Sequence, residues 1–332
     1  MSAIRKTGKS TYIFLDIKDN TLDDIDKSSH LDIRFDFDSN PPSYGLGTLE
    51  RLPLEIIHLI LIRLDMRSLT AFPHVNKRAR LVTNSIPQYR RILVHAPASI
   101  RGSLNIESAR FFSCQDLYEK LSTAECDSCR DFGGYLYLVT CRRVCFLCFT
   151  EMTDYLPLPQ KDVTRKFGLD SEHLAGLPHM RSFRGRYSPR GIKCRRREIL
   201  FDYSTARQAG IAVHGTVESM EKYASEMASK RLESYNSKVS LRRTGGTYLR
   251  PPRYEDSFDG HCSNPRRFMG IIRAPFFTEK MASPEWGLHC IACKPHHYCR
   301  PIHWRRKYTI DGFRDHIREC GEIMEGKHAQ IK

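Results

Sequence analysis

The chain has 332 residues, 40% of them apolar and 27% charged, with a formal net charge of +15. That length allows two or three domains, and that apolar fraction implies a globular chain with an adequate core. Residues 181–332 hold 30 lysines and arginines against 16 aspartates and glutamates, nearly the whole positive excess. The start MSAIRKTGKSTYIFLDIKDN has no apolar run of about 7–15 residues followed by a small-residue cleavage site, so no secretory signal is expected. The 12 cysteines are then expected in a reducing compartment, the cytoplasm or nucleus. There, Cys-x-x-Cys pairs more often bind metal than form disulfides.

Residues 1–47 read as a poorly ordered tail. Residues 16–38 carry eight aspartates, and Asn40-Pro41-Pro42-Ser43 with Gly45 and Gly47 reads as a linker. Within it, residues 31–37 alternate apolar and charged, as a half-buried strand would.

Residues 48–92 predict three helices. The first starts at Pro53, which pre-sets φ and lacks only an N–H that would be unpaired there. Leu54, Ile57, Leu61 and Leu64 form one stripe at helical spacing, and Ile56, Leu59, Ile60 and Ile62 cover most of the remaining surface. A helix apolar nearly all round must be buried nearly all round. A segment of roughly 40 residues cannot bury that much surface within itself, so the excess needs the rest of the chain or a partner. The run is far shorter than the roughly 20 residues of a membrane span and carries charge, so a span is excluded. Asp65 can cap a second helix over residues 67–72 and Asn76 a third over 77–85, separated by Pro73 and ended by Pro87.

This pattern resembles the F-box: Leu52-Pro53-x-Glu55-Ile56, then Ile60, Leu64, Leu69, Val75 and Leu81. Many F-boxes have an aromatic residue where this chain has Ala79. The resemblance implies docking on the Skp-type adaptor of a cullin-based ubiquitin ligase. The partner-binding residues would be Leu52, Pro53, Ile56, Ile57, Ile60, Leu64, Leu69 and Val75.

Residues 110–155 predict a cysteine-rich hairpin unit. Ser113 and Asp116 resemble a capping box opening a short helix to Leu121. Cys126-x2-Cys129, then Cys145-x2-Cys148 fifteen residues later, is the spacing of a tetrahedral zinc site. Each Cys-x-x-Cys turns the chain tightly. Between them, Gly133-Gly134 supplies a turn and residues 135–140 are strongly β-forming. Four thiolates would close the shell, making the site structural. Cys141 with Cys145 is an alternative second pair.

Residues 156–332 predict a basic α+β region. Residues 161–167 read as a helix stopped by Gly168. Residues 193–197, Lys-Cys-Arg-Arg-Arg, form a short basic run readable as a nuclear-entry signal or a phosphate-binding patch. Asp202 or Ser204 can cap a helix ending before Gly210, and Thr216 opens a longer one over residues 217–239. Residues 242–260 read as an exposed loop, and 268–277 as a buried strand. The end of the chain repeats the metal pattern: Cys290-x2-Cys293, then His316-x3-Cys320, which share one face of a helix capped by Asp311 and ended by Gly321. Phe313 would pack beneath this zinc-finger-like site. His296, His297, Cys299 and His303 in the insert are alternative ligands. Cys114, Cys194 and Cys262 have no partner spacing.

Taken in order, GGYLYLVTCRRVCFLCF, MRSFRGRYS, RQAGIAVHG, SNPRRFMG and WGLHCIAC with FRDHIRECGEI resemble a group of fungal F-box proteins with cysteine-rich regions after the F-box. The expected class is α+β: a three-helix F-box followed by a mixed region stapled by structural Zn2+ at one or two sites. The expected function is a non-enzymatic adaptor that presents an unknown protein substrate for ubiquitination. No Gly-rich phosphate loop, nucleophile elbow or HExxH helix is present. The alternative is a nucleic-acid or chromatin-binding zinc protein that uses its basic half. A third idea is an enzyme with a catalytic metal at the C-terminal site.

Overall fold

The computed structural model describes residues 10–12, 17–25, 44–241, 251–252, 262–294 and 303–329. Its elements run as small sheets between helices, an α+β chain. Strand β1 (Thr11–Tyr12) and helix α1 (Leu22–Ile25) come first. The three expected helices come next as α2 (Leu54–Arg63), α3 (Met66–Ala71) and α4 (Lys77–Ser85). Pro53 stands one place before α2, as its N-cap. Asp65 accepts from the Ser68 N–H and Asn76 from the Ala79 N–H, so both caps form as the sequence predicts.

Pro87 does more than end α4. It opens α5 (Pro87–His95), and Pro97 opens α6 (Pro97–Asn105). Proline is suited to a first helical turn, because the missing N–H has no partner there anyway. The capping box forms at α7 (Cys114–Leu121), where the Ser113 and Asp116 side chains satisfy each other's backbone N–H. The Met66 and Arg67 N–H groups donate to the Phe112 and Ala109 carbonyls, binding the three-helix segment to the loop between α6 and α7.

The hairpin β2 (Tyr135–Tyr137) and β3 (Arg142–Val144) then forms, followed by α8 (Phe146–Glu151). Next come β4 (Leu158–Pro159), α9 (Gln160–Phe167) and α10 (Ser171–Leu174). Gly168 ends α9 in the left-handed conformation, φ +66°. The stretch after α10 forms β5 (His179–Arg181), β6 (Gly185–Tyr187), β7 (Ile192–Cys194) and β8 (Ile199–Phe201). β4 and β5 flank β8 antiparallel, and β6 pairs with β7.

Asp202 caps α11 (Tyr203–His214) through the Thr205 N–H. This helix does not end before Gly210 but runs through it to Gly215. The reason is packing: a Cβ at Gly210 would lie 2.8 Å from Phe167 Cβ and from Met220 Sδ. Only glycine lets α11 approach both α9 and α12 (Val217–Leu241) so closely. Helix α13 (Pro265–Phe268) leads to β9 (Ile271–Arg273). After β10 (His289–Cys290) come α14 (Ile310–Cys320), β11 (Ile323–Met324) and β12 (Lys327–His328).

Contacts cross two of the expected boundaries. β9 joins β2 on the side opposite β3, with Leu136 opposite both Arg143 and Ile272, so residues 110–155 do not stand apart from residues 156–332. Nor is the N-terminal segment loose throughout. Asp19, Thr21 and Leu22 are buried, and β1 pairs with β10. The Tyr135 hydroxyl donates to Asp19 (2.7 Å) and Arg305 pairs with the same carboxylate. Arg273 pairs with Asp23 (2.7 Å) and with Asp24. Aspartates that read as a solvated acidic stretch instead neutralise arginines of the distant half. The strand expected over residues 31–37 lies outside the described residues.

One apolar core runs continuously from Ile57, Leu61 and Leu69 through Ile92, Leu117 and Leu136 to Ile272 and Phe277. Two buried guanidiniums brace it. Arg143 donates to the Lys120 and Pro275 carbonyls (2.9 and 3.0 Å), and Arg267 to those of Phe149 and Met152 (3.0 and 2.6 Å) at the end of α8. A second core gathers Leu158, Val163, Phe167, Phe201 and Met220, and a third gathers Cys290, Cys293 and Phe313.

Candidate functional site

Helix α2 has two unlike faces. Ile57, Leu61 and Ile62 turn inward and are at most 6% exposed. Leu54, Ile56, Leu59 and Ile60 turn outward at 41–55% exposure, and Leu52 and Val75 are also exposed, at 38% and 69%. Pro53 is exposed too. Of the eight residues the sequence singles out for a partner, Leu52, Pro53, Ile56, Ile60 and Val75 are exposed. Ile57 and Leu69 are buried in the chain's own core, and Leu64 is partly buried against it. The surface is held in shape from behind. Glu50 pairs with Arg78 (3.3 Å), the Asn76 amide donates to the Gly45 carbonyl (3.1 Å) and His58 bonds Ser85 (2.8 Å). So many outward aliphatic side chains on one short helix mark a docking surface.

Beyond that surface, Cys126, Cys129, Cys145 and Cys148 place their sulfurs within 4.8 Å of one another. The first pair sits in a tight turn, where the Cys126 N–H donates to the Asp131 carbonyl (2.6 Å) and the Arg130 N–H to that of Cys126 (3.0 Å). The second pair starts α8. Cys145 is its N-cap, with its sulfur accepting from the Cys148 N–H (3.4 Å). Strands β2 and β3 bring the turns together, so that Cys129 and Cys145 stand 3.6 Å apart. Hydrogen bonds from Cys145 and Cys148 draw the Cys126 thiol far below its ordinary range. Cys141, the alternative ligand, is not in the group. It lies in the β2–β3 turn at φ +51°, and burial pushes its thiol up.

A second group unites Cys290, Cys293 and His316 with His328, again within 4.8 Å. The His328 Nε2 lies 3.3 Å from Cys290 Sγ and 3.5 Å from Cys293 Sγ, and the His316 Nε2 is 3.5 Å from Cys293 Sγ. A hydrogen bond from Cys293 draws the Cys290 thiol down to about 4. The fourth corner is thus His328, where the sequence suggests Cys320. Cys320 does share the helix face with His316, but its sulfur lies 3.5 Å from Nδ1, the ring nitrogen facing away from Cys293. The i, i+4 spacing delivers it to the wrong side of the ring. His328 Nδ1 donates to the Gly321 carbonyl (2.9 Å), leaving Nε2 free to ligate, the usual outer-shell arrangement of a metal-bound histidine. Tyr308 stacks on His316 at 4.5 Å, and buried Phe313 lies beneath as predicted. Thr309, not Asp311, caps α14, accepting from the Gly312 N–H. His296, His297 and Cys299 lie outside the described residues.

The signal for His328 is a two-residue hairpin. Glu325 and Gly326 both take positive φ, +50° and +78°, folding β12 back over α14. Glutamate rarely occupies the first place of such a turn, so the motif does not announce itself. The two groups are joined. Asp131, two residues past Cys129, takes three hydrogen bonds from Arg306 (2.6, 2.7 and 2.9 Å), whose carbonyl faces His289 Nδ1 at 3.1 Å. Four protein donors complete each group, so each could hold a metal ion with no position left for water.

The molecule thus combines a helical docking module with two metal-ligating groups downstream. The module is a known one: residues 49–91 match the family model of the F-box domain, and the chain carries an F-box. F-box domains in general bind Skp-type adaptors of cullin ubiquitin ligases. No curated protein and no solved structure matches the chain. Among the described residues no helix is long and apolar enough to cross a membrane.

Proposed function

We propose that this chain is a substrate-recognition adaptor of a cullin-based ubiquitin ligase, working in the cytoplasm or nucleus. The Skp-type adaptor would cover Leu52, Pro53, Ile56, Ile60 and Val75, with Leu54 and Leu59 added to that contact. Ile57, Leu64 and Leu69 would serve it indirectly, by holding α2 and α3 on the core. The region after the F-box would present a protein substrate, and the transfer chemistry would belong to the partner enzyme. The observation that carries this reading is the outward apolar face of α2 on a segment that matches the F-box.

The metal in both groups would be zinc, in a structural role. A tetrahedral zinc, with Zn–S of about 2.3 Å and Zn–N of about 2.0–2.1 Å, sets sulfur–sulfur edges of about 3.8 Å and sulfur–nitrogen edges of about 3.5 Å. The separations of 3.6 Å between Cys129 and Cys145 and 3.3–3.5 Å between cysteine and histidine support that fit. The ligands would be Cys126, Cys129, Cys145 and Cys148 in one site and Cys290, Cys293, His316 and His328 in the other.

The test is co-expression with a Skp-type adaptor followed by size-exclusion chromatography in high salt. A stoichiometric complex that survives salt, and is lost in the Ile56→Lys/Ile60→Lys variant, is expected. A chain that elutes alone, or a complex that salt dissolves, overturns the reading.

A further inference from the structure

Between Arg181 and Arg197 the sequence places eight cationic side chains and no acidic one. The fold places Arg181 at the end of β5 and the other seven on the β6–β7 hairpin and the segments that enter and leave it. Arg181 and Arg197 are used internally, on Glu107 (3.6 and 3.5 Å). Arg186 donates to the Gly191 carbonyl (3.3 Å). The other five, Arg184, Arg190, Lys193, Arg195 and Arg196, are exposed, and among the described residues none has an ion-pair or hydrogen-bond partner. Three of them, Lys193, Arg195 and Arg196, line a groove of about 500 Å³. The start of α13 also lines it, and its Arg266 pairs with Asp162 (3.6 Å) as well as with Glu198. The one acidic side chain in the lining, Glu198, is already engaged by Arg266 at 3.6 Å.

The groove is built on fixed backbone. Buried Ser182 accepts from the Glu198 N–H through its hydroxyl (2.8 Å) and donates its own N–H to the Glu198 carbonyl (2.9 Å). Arg197 holds the Ser182 and Asn105 carbonyls (3.2 and 3.0 Å). Arg195 and Arg196 therefore stand on an anchored segment, with little ordering left for a ligand to impose. Clustered, unneutralised like charges repel, and such a field favours an anion brought to it. Four of the five are arginine, whose planar fork matches carboxylate and phosphate oxygens in pairs. The lining contains no aromatic ring, and single-stranded nucleic acid depends on such rings for base stacking.

We propose that this groove binds a peptide segment of clustered negative charge, carried by carboxylates or by phosphorylated side chains. As a statement about the substrate class, it rests on the adaptor reading above. The experiment measures peptide binding to the full chain by fluorescence anisotropy, with adaptor co-elution and metal content as separate readouts. Four labelled probes are used: an Asp/Glu-rich 12-mer, a phosphoserine 12-mer, a neutral 12-mer and a 12-nucleotide single strand.

One or both anionic peptides should bind and the neutral one should not, with the stronger of the two identifying the anion. Arg195→Glu/Arg196→Glu should weaken that binding by about tenfold or more, and leave adaptor co-elution and metal content unchanged. Failure of both anionic peptides, equal binding by the variant, or tighter binding of the oligonucleotide overturns the proposal. Peptide binding without adaptor co-elution would leave the groove standing and remove the ligase reading instead.

Discussion

At the scale of single residues, His328 and Cys320 are told apart by what surrounds them. His328 has its Nδ1 committed to the Gly321 carbonyl and its Nε2 turned to two sulfurs. The Cys320 sulfur lies 3.5 Å from Nδ1 of His316, on the other side of that ring from Cys293. With zinc bound, His328→Ala should lower the metal content of the purified chain by about one equivalent, because structural zinc binding is part of the folding free energy. Cys320→Ser should retain it. Elemental analysis of both proteins reads the outcome, and metal loss in Cys320→Ser alone would restore the sequence reading. The first Cys-x-x-Cys pairs are legible because their spacing is itself the turn geometry. His328 is not, because a hairpin with glutamate in a left-handed position leaves no mark in composition.

Lys307 is a second residue with a consequence of its own. It is buried, donates to the Trp286 carbonyl (3.2 Å), and lies 5.0 Å from the Tyr135 ring. Burial pushes its ammonium down to about 7, with Arg305 and Arg273 adding to the effect and Asp19 opposing it. Between that value and the ordinary value of 10.5, the unfolded chain holds more protons than the folded one, so stability rises with pH. Below about pH 7 both states are protonated and the full cost of the buried charge remains. Denaturant unfolding at pH 7 and pH 9 should therefore show the wild type gaining stability relative to Lys307→Met. A constant difference would mean that Lys307 does not titrate in this window.

At the scale of elements, α2 separates two jobs that its composition merges. The sequence shows a helix apolar nearly all round and implies a partner, but does not tell which stripe the chain keeps for itself. Packing decides it: Leu61, 3% exposed, belongs to the core, while Ile56 and Ile60 face out. Leu61→Ala should cost about 2–5 kcal/mol by removing buried methyl groups and leaving a cavity, seen as a lower urea midpoint. Ile56→Lys/Ile60→Lys should leave that midpoint within about 0.5 kcal/mol, as exposed substitutions do. If the two variants behave alike, the division of faces is wrong. The caps at Asp65, Asn76 and Ser113 are readable because they are local, side chain to backbone within three residues. Gly210 is not, because its role is a helix crossing made with residues 43 and 10 positions away, Phe167 and Met220.

At the scale of the whole molecule, the two ends are stitched through the middle. Asp19 receives the Tyr135 hydroxyl and the Arg305 guanidinium in a buried site. Asp19→Ala would leave a buried arginine without its counter-charge, at a cost of about 3–5 kcal/mol. It should also loosen the contact of the N-terminal segment with the rest of the fold. Denaturation gives the first, and faster amide exchange in residues 289–290, which β1 pairs, gives the second. Retained stability would show that the segment merely lies on the surface. None of this can be read from the sequence, where an aspartate-rich stretch before a proline-rich linker looks solvated. A pairing across 286 positions leaves no local pattern.

That pairing also sets a timetable. A ribosome delivers Asp19 and Asp23 first, and their partners Arg305 and Arg273 emerge 286 and 250 positions later. At about 5–20 residues per second, the N-terminal segment waits on the order of 15–60 s for its site to exist. Contacts of such long sequence separation also form slowly once both ends are present. During that interval β2 lacks its neighbour β9 and the core beneath it stands open to solvent. A newborn chain is therefore exposed to chaperones, and to self-association, until Arg273 and Arg305 have been made.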